Sequence, residues 1–419
     1  VIDPVSTTDR VADVLIVDGV IHAVSEAIAE YPPDTQVQEC SGLVLGPGLV
    51  DLYSHSGEPG FEDRETLDSL LHAAAAGGFT RLTLLPDTHP AVDNPAGVEW
   101  FRSELRHRSV PTTVQHWGAL TIGTQGQQMT ELGELAEAGI VGFADGQPLQ
   151  NRLLVRQLLE YGQPLGKPIA LWCSDRDLAG NGVVRDGTEA IRLGLPGRPA
   201  IAETAALAAL LEYVAEIGTP VHIMRVSTAR SVELIQAAKL RGLPITASTT
   251  WMHALLNITA VRSYDPSLHL APPLGTPSDQ AALLQGLQAG VLDAIAIDHT
   301  PYTYEEKTVA FAEAPPGAIG LELALPLLWH TLVETQGWSA CSLWRCLSTN
   351  PAHCLQQTPA AIAPNRPAEL TLFDPQQTWQ VTPQTLKSRS TNTPWLEQSL
   401  IGQVVKTWGT ERLASKTEG

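Results

Sequence analysis

Residues 48–59 read GLVDLYSHSGEP, and the apolar run that carries them, Leu43–Asp51, predicts a strand that ends at a polar loop. Alternate residues of a strand face the same way, so a strand ending in His-x-His places two imidazoles on one side of a metal. Here the pair is Tyr53 and His55, a phenol where the first imidazole would stand. Whether this strand end can hold a metal turns on that difference.

Outward from this strand, short apolar runs alternate with longer amphipathic stretches as far as about residue 355, a spacing that suits repeated βα units. Further strands are expected at Arg81–Pro86, Thr113–Ala119, Val141–Ala144, Ile169–Trp172, Val221–Val226, Ile245–Thr249 and Ala294–Asp298. Glu65–Gly77, Ala202–Ile217 and Ala229–Arg241 carry apolar residues at helical spacing between them. Eight strands with intervening helices point to an α/β fold, a (β/α)8 TIM barrel.

The ends read differently. Ala12–Glu26 alternates apolar and polar residues around a turn at Asp18-Gly19, a hairpin pattern. Ala368–Val381 and Leu400–Leu413 again read as strands, and neither end has residues enough for its own core. The expected division is a small β-sandwich from residues 1–46 and 366–419 beside a barrel of residues 47–365.

Composition narrows the function. The net charge of −19, from 45 acidic against 26 basic residues, repels phosphate backbones and anionic lipid surfaces, so neither nucleic acid nor membrane is an expected partner. Five scattered cysteines without a CxxC pair suggest neither a disulfide framework nor a thiolate zinc site. No run approaches the length of a membrane span, and the first residues lack the order of a signal peptide, so a cytoplasmic location is expected.

Six ordered phrases, GPGLVDLYSHSGEPG (Gly46–Gly60), LLPDTHPAVDNP (Leu84–Pro95), VHIMRVSTARSVELI (Val221–Ile235), IDHTPYTYEEK (Ile297–Lys307), GAIGLELALPLL (Gly317–Leu328) and SRSTNTPW (Ser388–Trp395), together resemble the dihydroorotases of the amidohydrolase superfamily. The resemblance implies a metal-dependent-hydrolase barrel beside a β-sandwich built from both termini, a zinc site and cyclic amide hydrolysis in pyrimidine biosynthesis. It also implies which residues should carry the chemistry, and these differ. The family's His-x-His followed by Arg is here Tyr53, His55 and Gly57. Its Pro-Asn-Thr is Pro86-Asp87-Thr88. Its histidines after the fifth and sixth strands are Trp172 and Arg225, its motif-ending His is Tyr302, and its Arg after Pro-Pro-Leu is Gly275.

Trp172 has no lone pair for a metal, and the permanent charge of Arg225 repels one. Of the resemblance's metal positions, His55, Asp145 and Asp298 remain, Asp298 at the place of the general base. His55 reads as a hydrogen-bonded barrel histidine, and Arg225 as a salt-bridge partner for Asp298. His222, three before Arg225, is expected on the opposite face of its strand, packing against helices, while His253, beside Trp251 and Met252, is expected at an apolar plug. Asp175 and Glu203 sit in family-like phrases without rebuilding the ligand set. Trp172, Trp251, Tyr53 and Tyr302 are expected to crowd one end of the barrel.

The reading that follows is a dihydroorotase-like pseudoenzyme with no expected cofactor, acting as scaffold or regulator of aspartate transcarbamoylase, the partner that the resemblance implies; a homodimer is compatible with it. The alternative is an amidohydrolase, a residual dihydroorotase or one of altered substrate, with a reduced zinc site at His55, Asp145 and Asp298.

Overall fold

The computed structural model describes residues 1–106 and 108–409. Eight parallel strands form one sheet in chain order: Leu49–Ser54, Phe79–Leu84, Thr113–Gly118, Gly142–Phe143, Ile169–Trp172, Val221–Met224, Ile245–Thr250 and Ala294–Ala296. The ring closes between the ends of the first and last strands through hydrogen bonds that include the following three. Ile297 N–H donates to Asp51 Oδ1 at 2.8 Å, Asp298 N–H to Tyr53 O at 3.0 Å and His55 N–H to His299 O at 2.9 Å. The architecture is the expected TIM barrel.

Strands such as Ile169–Trp172 are wholly apolar because both faces are buried, whereas Ile245–Thr250 buries mostly hydroxyl side chains. In Ile169–Trp172, Ile169 and Leu171 join the core shared with the helices, whereas Ala170 and Trp172 join an inner cluster with Val50, Leu52, Met224, Ala294 and Ala296. The helices are set by local signals as well as by burial. Leu67–Ala76 starts where the Thr66 hydroxyl accepts from Ser69 N–H, buries Leu67, Leu70, Leu71 and Ala74 at helical spacing, and ends at Gly77.

The run Leu43–Asp51 is divided between two sheets, which corrects the expectation of one strand. Val44–Pro47 pairs antiparallel with Leu370–Gln380, and the barrel strand begins only at Leu49. Gly48 is the crossing point, where a Cβ would lie 2.0 Å from Thr80 Oγ1. The hairpin forms at Asp13–Val17 and Val20–Ser25, with Asp18 and Gly19 both at positive φ, as a tight two-residue turn requires. Ile21 of this hairpin packs with Ile362, Ala368 and Leu370, so the first and last parts of the chain share a core. Leu370–Gln380 also pairs with Ser399–Trp408; the expected strand beyond residue 409 lies outside the described residues. No helix among the described residues is long and apolar enough to cross a membrane.

Candidate functional site: the barrel mouth

Two loops leave the barrel through residues in left-handed backbone conformation, Arg225 after the sixth strand and Asp298 after the eighth, each with φ of 54°. Such a conformation is costly for residues other than glycine and persists where surrounding contacts over-determine it. The contacts here are mutual. Arg225 Nε donates to Asp298 Oδ2 at 2.7 Å and Nη2 to Oδ1 at 2.6 Å, a two-pronged ion pair with the arginine side chain only 4% exposed. Arg225 Nη1 donates to Gly146 O at 2.8 Å, and the guanidinium lies 4.9 Å from the centre of the Trp172 ring.

Tyr53 supports the same residue from below. Its hydroxyl oxygen accepts from Arg225 N–H at 3.1 Å and lies 2.9 Å from Ser248 Oγ. The phenol joins the inner cluster because the register of the first strand shifts between Asp51 and Ser54, an irregularity that turns an extra side chain inward. Burial, assisted by the Asp298 charge, pushes the phenol above its ordinary range, so it remains a neutral hydrogen-bonding group.

His55 completes the cluster. Its Nδ1 lies 2.6 Å from Asp87 Oδ2, and its Nε2 lies 3.2 Å from Arg225 Nη2 and 3.5 Å from Asp298 Oδ1. Burial works against a charged ring, but the Asp87 carboxylate and then Asp298 outweigh it and raise the pKa to about 9. Burial also opposes ionisation of Asp298, and Arg225 with His55 overcomes it, holding that carboxyl well below the usual carboxylate range. Two carboxylates, an imidazolium and a guanidinium therefore balance one another.

These donors do not suit a zinc ion. The guanidinium of Arg225 is bonded to Asp298 and lies 3.2 Å from His55 Nε2, so an ion at these two family positions would meet a fixed positive charge and an imidazole that is already protonated. Among the described residues no group of three His, Cys, Asp or Glu side chains is arranged to hold a metal. Asp145, which the alternative reading groups with His55 and Asp298, is engaged elsewhere. Its carboxylate accepts from Leu120 N–H at 2.8 Å, Thr121 N–H at 3.0 Å and the Thr121 hydroxyl, tying down the loop after the third strand. Burial raises its pKa to about 6.

His222 is a second correction. It lies inside the barrel, with Nε2 2.9 Å from Ser248 Oγ and Nδ1 2.9 Å from Thr246 Oγ1, its ring 6.5 Å from that of Tyr53. Counting three residues to Arg225 misplaced it, because the strand ends at Met224 and the left-handed Arg225 breaks the alternation. His253 does line the mouth, bonded to Thr250 Oγ1 and Pro272 O, and burial lowers its pKa to about 4. Asp175 caps a short helix through Leu178 N–H, and Glu203 accepts from Ser227, Thr228 and Ser231. Neither carboxylate lines the mouth.

Gly57 and Gly275 have packing reasons of their own. A Cβ at Gly57 would lie 2.3 Å from Glu65 O, and one at Gly275 would lie 2.6 Å from Asp279 Cβ. An arginine at either place would need the loop to move. The expected aromatic crowding is incomplete: Trp172, Trp251 and Tyr302 border a cavity of about 190 Å³, with Tyr53 buried beneath the ion pair.

The sequence reading missed Arg64, Phe61 and the strap that holds them. Arg64 lies over the Phe61 and Tyr302 rings, at 4.5 and 4.9 Å, and pairs with Glu306. The SRSTNTPW segment crosses this edge of the mouth. Ser390 Oγ donates to Arg64 O or Tyr302 O, at 2.7 and 2.9 Å, and Asn392 Nδ2 donates to Thr300 O at 2.9 Å. Ser388 bonds to the buried Glu65, which also accepts from Arg389 N–H at 2.9 Å. That phrase was visible in the sequence, and its polar residues at alternate positions are the signal of its strapping role.

Barrel, flanking β-structure and polar mouth together define a fold of the amidohydrolase type. The L-hydantoinase (dihydropyrimidinase) from Arthrobacter aurescens superposes with a TM-score of 0.83 over 95% of this chain and 93% of that one, at 20% identity. A dihydropyrimidinase from Brevibacillus agri superposes with a TM-score of 0.79 at 21% identity, over 95% and 90%. Sequence makes the assignment finer. Residues 42–231 match the family model described as dihydro-orotase-like. A protein of Synechocystis sp. described as dihydroorotase-like is 44% identical over 96% of this chain and 97% of its own length. The dihydroorotase of Syntrophus aciditrophicus is 37% identical over 97% and 95%. The chain belongs to the dihydroorotase-like family.

Proposed function

We propose that this chain is a dihydroorotase-like protein without hydrolytic activity, a cytoplasmic scaffold or regulator of aspartate transcarbamoylase. The observation that carries the reading is the Arg225 guanidinium, bonded to Asp298 and in reach of His55, the two residues at family metal positions that meet at the mouth. Hydrolysis of a cyclic amide at neutral pH needs an activated water, and a donor set turned to a guanidinium offers no ion to activate one. Asp298 could act as general base only by leaving an ion pair that holds its carboxyl far below the working pH. The alternative, a reduced metal site at His55, Asp145 and Asp298, is disfavoured because the Asp145 carboxylate is engaged by Leu120 and Thr121.

The partner rests on the family and on charge. A scaffold is selected on its outer surface, and the −19 net charge of this chain suits a basic face on another protein. Mixed at micromolar concentration in low salt, this protein and the aspartate transcarbamoylase catalytic chain of the same source co-elute as a larger species by light scattering, and the complex weakens as salt rises. Separate elution at low and physiological salt, with unchanged carbamoyltransferase kinetics, contradicts the scaffold role.

A further inference from the structure

A line of buried groups runs through the barrel interior from the mouth toward the base. Arg225 N–H, after the sixth strand, is 3.1 Å from the Tyr53 hydroxyl oxygen, which is 2.9 Å from Ser248 Oγ. Ser248 Oγ is 2.9 Å from His222 Nε2, and His222 Nδ1 is 2.9 Å from Oγ1 of Thr246, near the start of the seventh strand. Tyr53, Ser248 and His222 are each at most 1% exposed, so their polar atoms depend on one another rather than on bulk water.

One arrangement of hydrogens satisfies every member of the line. A backbone N–H only donates, so the Tyr53 oxygen accepts from Arg225. The phenol O–H has Ser248 as its remaining partner among the described residues and donates to it. Ser248 then has a single hydrogen to give, and His222 Nε2 accepts it. Burial, with a smaller contribution from Lys239, lowers the His222 pKa to about 3, so the ring is neutral and its one hydrogen sits on Nδ1, donating to Thr246. Half-buried Thr246 turns its own hydrogen toward solvent. Reversing the Ser248 hydroxyl would strand the phenol O–H in the core without an acceptor, at the full cost of its desolvation.

We propose that this line is a one-way coupling in which Arg225 at the mouth sets the tautomer of His222 deeper in the barrel, so that displacement of the Arg225 backbone frees the ring to carry its hydrogen on Nε2. The ring stays neutral in the exchange: one proton leaves Nδ1 for water and one from water joins Nε2. Asp298 holds the Arg225 side chain, so the ion pair at the mouth and the histidine in the core are linked in both directions. The coupling is internal to the barrel and stands whether or not a partner protein docks outside.

Long-range proton–nitrogen correlation spectra of the full chain, labelled at its 12 histidines, read the tautomer directly, because a ring nitrogen that carries hydrogen and one that does not resonate apart. His222→Gln identifies the His222 signals, or contacts to the Thr246 methyl group do so where that variant does not fold. Between about pH 6 and 8 the unaltered protein shows hydrogen on Nδ1 and none on Nε2. Tyr53→Phe cuts the line between Arg225 and Ser248, and the share of the Nε2–H form rises by about tenfold, the worth of one hydrogen bond. Ser248→Ala cuts it at the next link and gives the same shift, so either variant suffices. A His222 ring that stays neutral across this range shows that the barrel still buries it, which separates a change of tautomer from a loss of structure. Hydrogen on Nε2 or on both nitrogens in the unaltered protein, or an unchanged Nδ1–H form in a folded variant, overturns the proposal, and the first of these outcomes needs no variant.

Discussion

Arg225 and Asp298 meet as two left-handed residues, each at φ of 54°, joined by parallel hydrogen bonds of 2.7 and 2.6 Å. The pair links the loops after the sixth and eighth strands. Its backbone cost is offset by an ion pair that neither residue could make from the other side of the barrel.

Removal of one partner leaves the other charge buried and unpaired. Arg225→Met and Asp298→Asn are each expected to destabilise the fold by roughly 3–5 kcal/mol. The double variant costs less than the sum of the two, because the charge that each single change strands is then absent. Urea unfolding of the four proteins in a double-mutant cycle measures the difference.

His55 gives stability a pH dependence of defined sign. Its folded pKa of about 9 lies above its unfolded value, so its contribution is fully present below the unfolded pKa of about 6.5 and is lost as pH rises through 9. Stability therefore falls between about pH 6.5 and 9, by on the order of 3 kcal/mol from this group. His55→Gln removes this part of the slope. Unfolding midpoints at half-unit pH intervals, compared between the two proteins, give the result.

The strap of residues 388–392 is held by side chains. Asn392→Ala removes an amide that bonds to Thr300 O and to Tyr302 N–H, and is expected to cost roughly 1–3 kcal/mol while faster hydrogen exchange appears at Tyr302 before the barrel strands open. Equal acceleration throughout the barrel would show that the strap has no separate role.

Much of this molecule is legible in its sequence, for physical reasons. Barrel strands such as Ile169–Trp172 show as short apolar runs because both faces are buried, and the hairpin shows because Asp18-Gly19 supplies two positive-φ residues. Tyr53, Trp172 and Arg225 are readable as a set because their chemistry is unlike that of imidazole. What stays hidden depends on direction. His222 faces inward with Met224, two residues on, and a count from Arg225 misplaces it because the left-handed Arg225 breaks the alternation; Asp145 points to a loop twenty-odd residues earlier in the chain. The break at Gly48 depends on Thr80, which a local pattern does not contain.

Tyr53→His alone is not expected to give hydrolytic activity. The guanidinium of Arg225 remains bonded to Asp298 and 3.2 Å from His55 Nε2, and loss of the phenol removes the acceptor for Arg225 N–H. Groups that act as a unit are not recovered singly. Dihydroorotate hydrolysis by this variant stays at background, measured with zinc added; clear turnover would mean that the ion pair yields readily to a metal.

The most direct measurement is the zinc content of protein purified without chelator, taken with dihydroorotate turnover on the same sample. The ion pair at the barrel mouth predicts well under one equivalent of zinc and no hydrolysis above background. Stoichiometric zinc, with turnover that disappears in Asp298→Ala, would contradict it.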